Sequence, residues 1–207
     1  MSDTAAMEPV GKREKTKVAN RQAILVAARA VFAQLGYEAS TVRDIIRGTD
    51  LASGTFYNYF RSKEEVYEAL ADDGARRFRP ILRVAHESAK SFEDYLHSSF
   101  VAYFRFIVED NRLEGRPVDE RRPHVLRMDT PEMVAVYQEV RQTLEEAIAR
   151  GDAPSVDADY LAYACIGMAQ EVGAAMLRRS PPDVEEAADF LTGLVLKGLQ
   201  GAPRKKT

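Results

Sequence analysis

The 207-residue sequence predicts an all-α protein of about nine helices. Apolar residues recur at three- and four-residue spacing through most of the chain, and no segment shows strand alternation of useful length. Glycines, prolines and N-capping residues sit where the periodic runs stop and start.

Residues 1–16 read as a flexible basic arm. From Lys17 to Leu35, the residues Ile24, Ala28, Val31, Phe32 and Leu35 fall at helix spacing, and Gly36 ends the run as a C-cap glycine would. Thr41 suits the N-cap of a short helix carrying Val42, Ile45 and Ile46. Gly48-Thr49-Asp50 punctuates, Ser53 can cap a third helix, and Arg61-Ser62 leads into a fourth from Lys63 to Ser88. Pro80 is expected to kink or split that fourth helix. A fifth spans Phe92 to Asp110, and the polar connection after it carries a short helix near 119–127. Thr130-Pro131 opens a helix to Arg150, because proline is favoured at the first helical position. Ala158 to Arg179 and Val184 to Gln200 are the last two helices, before a flexible tail at 201–207.

Hydrophobic residues make up 45% and charged residues 29%, so the chain can bury a sizeable core and is not a disordered one. The net charge of −3 does not advertise a nucleic-acid partner. Locally the balance differs. Lys12, Arg13, Lys15, Lys17 and Arg21 meet only Glu14, a stretch that can lie along phosphates or remain a solvated tail. The single cysteine, Cys165, allows no intrachain disulfide, which suits a reducing compartment. The first residues lack the apolar core of a secretory signal, and no window approaches a membrane span. A cytoplasmic protein with no membrane partner is the expectation.

The stretch "SGTFYNYF", residues 53–60, crowds four aromatic rings behind a serine and a glycine. On a helical wheel Phe56 and Phe60 lie together and can pack with Leu51, Ile45, Val31 and Phe32. Gly54, Thr55 and Asn58 take the other side, flanked by Tyr57 and Tyr59. This is an apolar back with a small polar front. Two short helices joined by a tight turn form a helix-turn-helix, whose second helix enters the major groove by its N-terminal end. Gly54 removes bulk, Thr55 and Asn58 can hydrogen-bond base edges, and tyrosine hydroxyls reach phosphates. An ordinary amphipathic helix in a bundle core fits the wheel equally well. The neighbours favour the first reading. Thr41 can point its hydroxyl at a phosphate, and Arg43 can reach a guanine in bidentate fashion. Lys63 opens a helix where a cation opposes the helix dipole, a mild cost that contact with a phosphate would explain.

The run "AARAVFAQLGYEASTVRDIIRGTDLASGTFYNYFRSKEEVYEAL", Ala27 to Leu70, resembles the DNA-binding module of the TetR family of bacterial transcription regulators. The resemblance covers about the first 70 residues. It implies an N-terminal three-helix DNA-binding domain at 17–62 and a larger helical effector-binding and dimerisation domain at 63–200. It implies that Thr41 and Lys63 contact phosphate and that Arg43 contacts bases. Ser53, Gly54 and Thr55 would start the recognition helix, Tyr57 and Tyr59 would touch the backbone, and Asn58 would touch a base or a phosphate. The partners it implies are a double-stranded DNA operator, a second copy of the chain and a small-molecule effector.

A reader this small needs a dimer to span two half-sites. The last two long helices are the candidates for the interface. Gly167 and Ala174 allow close approach, and Phe190, Leu191, Leu194 and Val195 offer apolar surface. Intramolecular packing is the competing use of the same residues. Phe78, Leu82, Tyr103, Ile107, Met133, Tyr137, Met168 and Met176 can line an effector pocket, with Glu171 as a polar anchor. Plain core is the alternative for each aromatic and methionine. The apolar bias favours a hydrophobic effector.

His86, His97 and His124 have no metal-binding spacing among themselves, so no metal is expected. No nucleophile elbow, phosphate loop or zinc-protease motif occurs, which argues against an enzyme or a bound cofactor. The expected function is a ligand-responsive dimeric regulator, most simply a repressor released from a palindromic operator. A nonspecific architectural DNA binder is the alternative, disfavoured by the acidic balance after residue 65.

Overall fold

The computed structural model describes residues 11–113 and 130–202, and every regular element among them is an α-helix. In order these are α1 (Lys12–Leu35), α2 (Val42–Arg47), α3 (Ser53–Tyr57), α4 (Lys63–Ser88), α5 (Phe92–Leu113), α6 (Pro131–Arg150), α7 (Ala158–Leu177) and α8 (Val184–Gly201). The short helix expected near 119–127 lies outside the described residues, as do residues 1–10 of the arm and 203–207 of the tail.

The elements differ in detail from expectation. α1 begins at Lys12 rather than Lys17, so the last residues of the supposed arm are helical. Lysine, arginine and glutamate are good helix formers, and Glu14 in the first turn complements the helix dipole. α4 continues through Pro80 without being split, one missing backbone donor being tolerable in a helix of 26 residues. Ser53 is the first residue of α3, not its cap. Ala52 holds the N-cap position, with no side-chain cap bond.

The chain divides into two compact units, Met1–Ala69 and Leu70–Thr207. The first contains α1 to α3 and the opening turns of α4. Its buried residues include Ile24, Leu25, Ala27, Ala28 and Phe32 of α1, Ser40, Ile45 of α2, Phe56 and Phe60, and Val66 of α4. α1 packs against α2, and α2 against α3.

In the second unit α5 packs along α8, and α7 touches α5, α6 and α8. Phe104, Leu144, Ala162, Met176, Ala188 and Leu191 are the heart of this core. α5 and α7 approach so closely at Gly173 that a β-carbon there would stand 2.7 Å from Ile107 Cδ1 and 3.3 Å from the Phe104 ring. A second apolar cluster joins α4 and α6 through Ala75, Phe78, Leu82, Met133 and Val136, flanked by Tyr103 and Phe106.

Charge reinforces the α4–α6 contact. Arg79 reaches Glu132 at 2.9 Å and Glu139 at 2.6 Å, Arg76 reaches Glu132 at 3.3 Å, and Arg83 also binds Glu139. Burial opposes the Glu139 charge, but Arg79 and Arg83 outweigh it and hold the carboxyl below the usual glutamate range. Glu132 is lowered as well, foremost by its bond from Arg79. α6 takes its N-terminal cap from α4. Thr130 sits at the N-cap without making a side-chain bond, and the Glu132 amide donates instead to Asp72 Oδ1 at 2.9 Å.

Gly173→Leu is expected to destabilise the chain by about 1–3 kcal/mol, because the added bulk meets Phe104 as well as the Ile107 tip. Gly173→Ala should lie near neutral, since the Ile107 terminal methyl can yield and alanine favours the helix. Urea denaturation followed by circular dichroism measures both.

Candidate nucleic-acid interface

α2 has six residues and α3 has five, and both are held from outside. Thr41 closes a capping box on α2. Its hydroxyl accepts the Asp44 N–H at 3.3 Å and donates to Asp44 Oδ2 at 2.6 Å, and the same carboxylate accepts the Thr41 N–H at 3.0 Å. The hydroxyl bond from Thr41 is the main cause that lowers the Asp44 pKa. The turn after α2 is pinned by Thr49, whose hydroxyl donates to the Ile46 carbonyl at 2.8 Å and accepts the Leu51 N–H at 3.2 Å.

α3 ends at Tyr57, short of the helix to Phe60 that the wheel assumed. The Phe60 N–H still reaches the Phe56 carbonyl at 3.1 Å, so both rings keep the same side and are buried. Their centroids lie 6.1 Å apart, and the Arg21 guanidinium sits 5.4 Å above the Phe60 ring. On the other side Ser53, Gly54 and Asn58 are exposed, and a β-carbon at Gly54 would meet nothing within 4 Å. Tyr57 is 58% exposed, whereas Thr55 and Tyr59 are half-buried. Arg43, in the first turn of α2, is exposed. The front is therefore polar and uncrowded over an apolar back.

Two residues expected at phosphates are engaged internally. The Thr41 hydroxyl proton goes to Asp44. The Lys63 ammonium lies 2.9 Å from the Tyr37 carbonyl, 3.3 Å from that of Glu38 and 3.2 Å from that of Ser40. It also stands 4.5 Å from the Tyr37 ring centroid. The Tyr37 hydroxyl donates to Glu64 at 3.1 Å, and burial followed by this bond pushes the phenol up to about 12.

The residues suggested for an effector pocket separate into groups. Phe78, Leu82 and Met133 are buried together, with Tyr103 against them. Ile107, Met168 and Met176 belong to the main core instead. Tyr137 is half-buried against the main core, its hydroxyl 2.6 Å from Asp159 and its ring 4.6 Å from Tyr163. Glu171 is exposed, on the outer side of α7, and does not join the Phe78 group.

The interface candidates divide as well. Leu191 and Val195 are inward core residues, 0% and 5% exposed, because the phase of α8 turns them toward α5 and α7. Phe190 and Leu194 face outward, the former 61% exposed, and Gly167 and Ala174 are half-buried. Tyr160 and Tyr163 on α7, 79% and 52% exposed, escaped the sequence reading. Their three-residue spacing beside small residues was the available signal. Arg21 was also missed as a cover for Phe60. Among the described residues no three metal-ligating side chains gather, and no helix is long and apolar enough to cross a membrane.

Residues 24–70 match the bacterial regulatory proteins of the tetR family, over the segment that carries this helix-turn-helix. That segment, and not the rest of the chain, carries the likeness to the tetR family. It is 30% identical over 132 residues to the HTH-type transcriptional repressor AcnR of Corynebacterium efficiens, a match that spans 63% of each chain. The fold is shared with the fatty acid degradation regulator FadR of Bacillus halodurans. There the TM-score is 0.68 at 22% identity, covering 87% of this chain and 96% of that one. It is shared also with FadR of Bacillus subtilis in complex with stearoyl-CoA, at TM-score 0.64 and 20% identity, covering 86% and 98%. At those identities the likeness is one of fold.

Asp44 has a depressed pKa, so its capping contribution is present above the unfolded value and lost as pH falls through the folded one. Thr41→Ala should raise the Asp44 carboxyl pKa in an NMR titration. It should also lower stability by about 1 kcal/mol, the usual cost of losing a threonine cap.

Proposed function

We propose that this protein is a dimeric, effector-responsive DNA-binding regulator, acting as a repressor that leaves a palindromic operator when a small hydrophobic effector binds. The observation that carries the reading is the front of α2 and α3. Arg43, Ser53, Gly54 and Asn58 are all exposed on two short helices whose aromatic back is buried. Arg43 and Thr55 address base edges, Tyr57 and Tyr59 touch the sugar-phosphate backbone, and Asn58 reaches a base or a phosphate. The exposed basic residues Arg13, Lys15 and Lys17 on α1 add sequence-independent attraction.

The dimer is built from the outer faces of α7 and α8. Tyr160, Tyr163, Phe190 and Leu194 leave apolar surface uncovered, of the kind an isologous contact buries. Gly167 and Ala174 permit close approach beside it. The effector lies against the Phe78, Leu82, Tyr103 and Met133 cluster between α4, α5 and α6. A structural relative that binds stearoyl-CoA supports an acyl compound as the first class to test. α4 carries residues of both units, so a ligand with greater affinity for the released state acts through it. The domain limits proposed are 17–62 for the reader and 63–200 for the effector-binding and dimerisation part.

Selection of bound sequences from a pool of random duplexes tests the reading. A palindromic motif is expected. Arg43→Ala and Thr55→Ala should each cost about 1–3 kcal/mol at particular base positions. A fully active protein that enriches no sequence and answers no acyl ligand would instead be a nonspecific architectural binder. Phe190→Glu should shift the chain to monomer in sedimentation and weaken operator binding, because one half-site alone is a small target.

A further inference from the structure

Three helices carry the second apolar cluster, and each continues beyond it into polar residues. On α4 the face of Phe78 and Leu82 goes on to His86. On α6 the face of Met133, Val136 and Val140 goes on to Thr143. On α5 the face of Tyr103 runs back through Ser99 to Tyr95. A helical turn rises about 5.4 Å, so these polar residues gather at one end of the apolar cluster. They also meet there. The His86 ring stands edge-on to the Tyr95 ring, 5.7 Å between centroids, and His86 Nδ1 is 3.4 Å from the Thr143 hydroxyl. Tyr95 and Thr143 are both buried. Burial pushes the Tyr95 phenol up to about 12, and the neighbouring Thr143 and Ser99 hydroxyls oppose it. Cys165 lies near the same phenol, and burial pushes its thiol up to about 12 as well.

Hydrogen-bond accounting leaves one group over. The Thr143 hydroxyl donates to the Glu139 carbonyl at 2.9 Å, so toward its other neighbours it can only accept. The Ser99 oxygen is buried without a hydrogen bond of ordinary geometry. A buried hydroxyl with no partner is unfavourable, and this end of the cluster therefore holds a donor that lacks an acceptor. The groups around it are hydroxyls, an imidazole and a thiol. Arg79 and Arg83 of the adjoining seam are bound by Glu139. A carboxylate or phosphate taken in here would be buried among groups of which only His86 could become a cation, whereas a carbonyl or hydroxyl oxygen carries no such penalty.

We propose that this polar end anchors the head of an amphipathic effector, an uncharged carbonyl or hydroxyl oxygen that accepts from Ser99, while the apolar body lies along Phe78, Leu82, Met133 and Val136. The proposal rests on the effector reading above and narrows it, to esters, amides, ketones or alcohols and away from free carboxylates. A purely structural role for the same residues makes a different statement, that no ligand notices the loss of the Ser99 hydroxyl.

The test uses the full chain, titrated in a calorimeter near neutral pH with decanol, methyl nonanoate and decanoate. Decanol and the ester are expected to bind about tenfold more tightly than decanoate. Ser99→Ala should weaken both uncharged probes about tenfold, the worth of one hydrogen bond. It should leave decanoate binding unchanged. The melting temperature of the free protein should stay level or rise, because the variant removes a buried donor that nothing satisfies. The proposal is overturned if decanoate binds as tightly as decanol, if Ser99→Ala binds decanol as the parent does, or if no probe binds. Should the variant not fold, the order of the three probes on the parent decides. The effector reading is judged separately, by release of the duplex recovered by selection. Probes that bind in the expected order and release nothing refute that reading and leave the anchor standing. Decanoate that releases the duplex with or without the Ser99 hydroxyl upholds the reading and refutes the anchor.

Discussion

A helix of five residues closes barely one hydrogen-bonded turn, and α3 therefore has no stability of its own. What it presents depends on the burial of Phe56 and Phe60, on rings 6.1 Å apart that anchor one side of the segment. α2 is scarcely longer, and it leans on Ile45 and the Thr41–Asp44 capping box. The small unit thus spends its few large apolar residues on orientation. Every side chain on the front inherits its direction from a ring or a cap on the back.

The second unit is organised differently. Its long helices α5, α7 and α8 bury a continuous apolar core, and Gly173 lets two of them approach closely. α4 meets α6 through one modest apolar cluster and a row of arginine–carboxylate bonds. Exposed ion pairs are individually weak, and two arginines sharing Glu139 gain their value from geometry more than from number. Such a seam is directional, so it can be re-registered at less cost than a core of interlocked leucines.

Much of this was legible in the chain. The Thr41 cap followed from a threonine placed just before an apolar helical run, and the burial of Phe56 and Phe60 followed from the helical wheel, because both are local. What failed needed a partner to decide it. The start of α1 rests on residues that are charged and equally at home in a helix or a tail. Leu191 and Phe190 are adjacent, and only the packing of α8 on α5 shows that the leucine turns inward and the phenylalanine outward. Lys63 was read as a phosphate-binding cation, and its bonds to carbonyls 23 to 26 residues away were not legible, because those carbonyls lie on a turn without a side-chain signature. Glu171 was read as a pocket residue from composition, which cannot distinguish the inner from the outer side of a helix.

The cap that α4 lends to α6 has a further meaning. The Glu132 amide is bonded to a carboxylate 60 residues earlier in the chain, on a different helix. That hydrogen is therefore a ruler. Its protection and chemical shift report where α4 stands against α6, from a single backbone atom that belongs to neither the exposed front of α2 and α3 nor the apolar cluster. Since the same helix start also binds Arg76 and Arg79 through Glu132, sliding α4 would uncap α6 and break its ion pairs in one event. The two helices are thus joined at one helix start through both a backbone amide and a side chain.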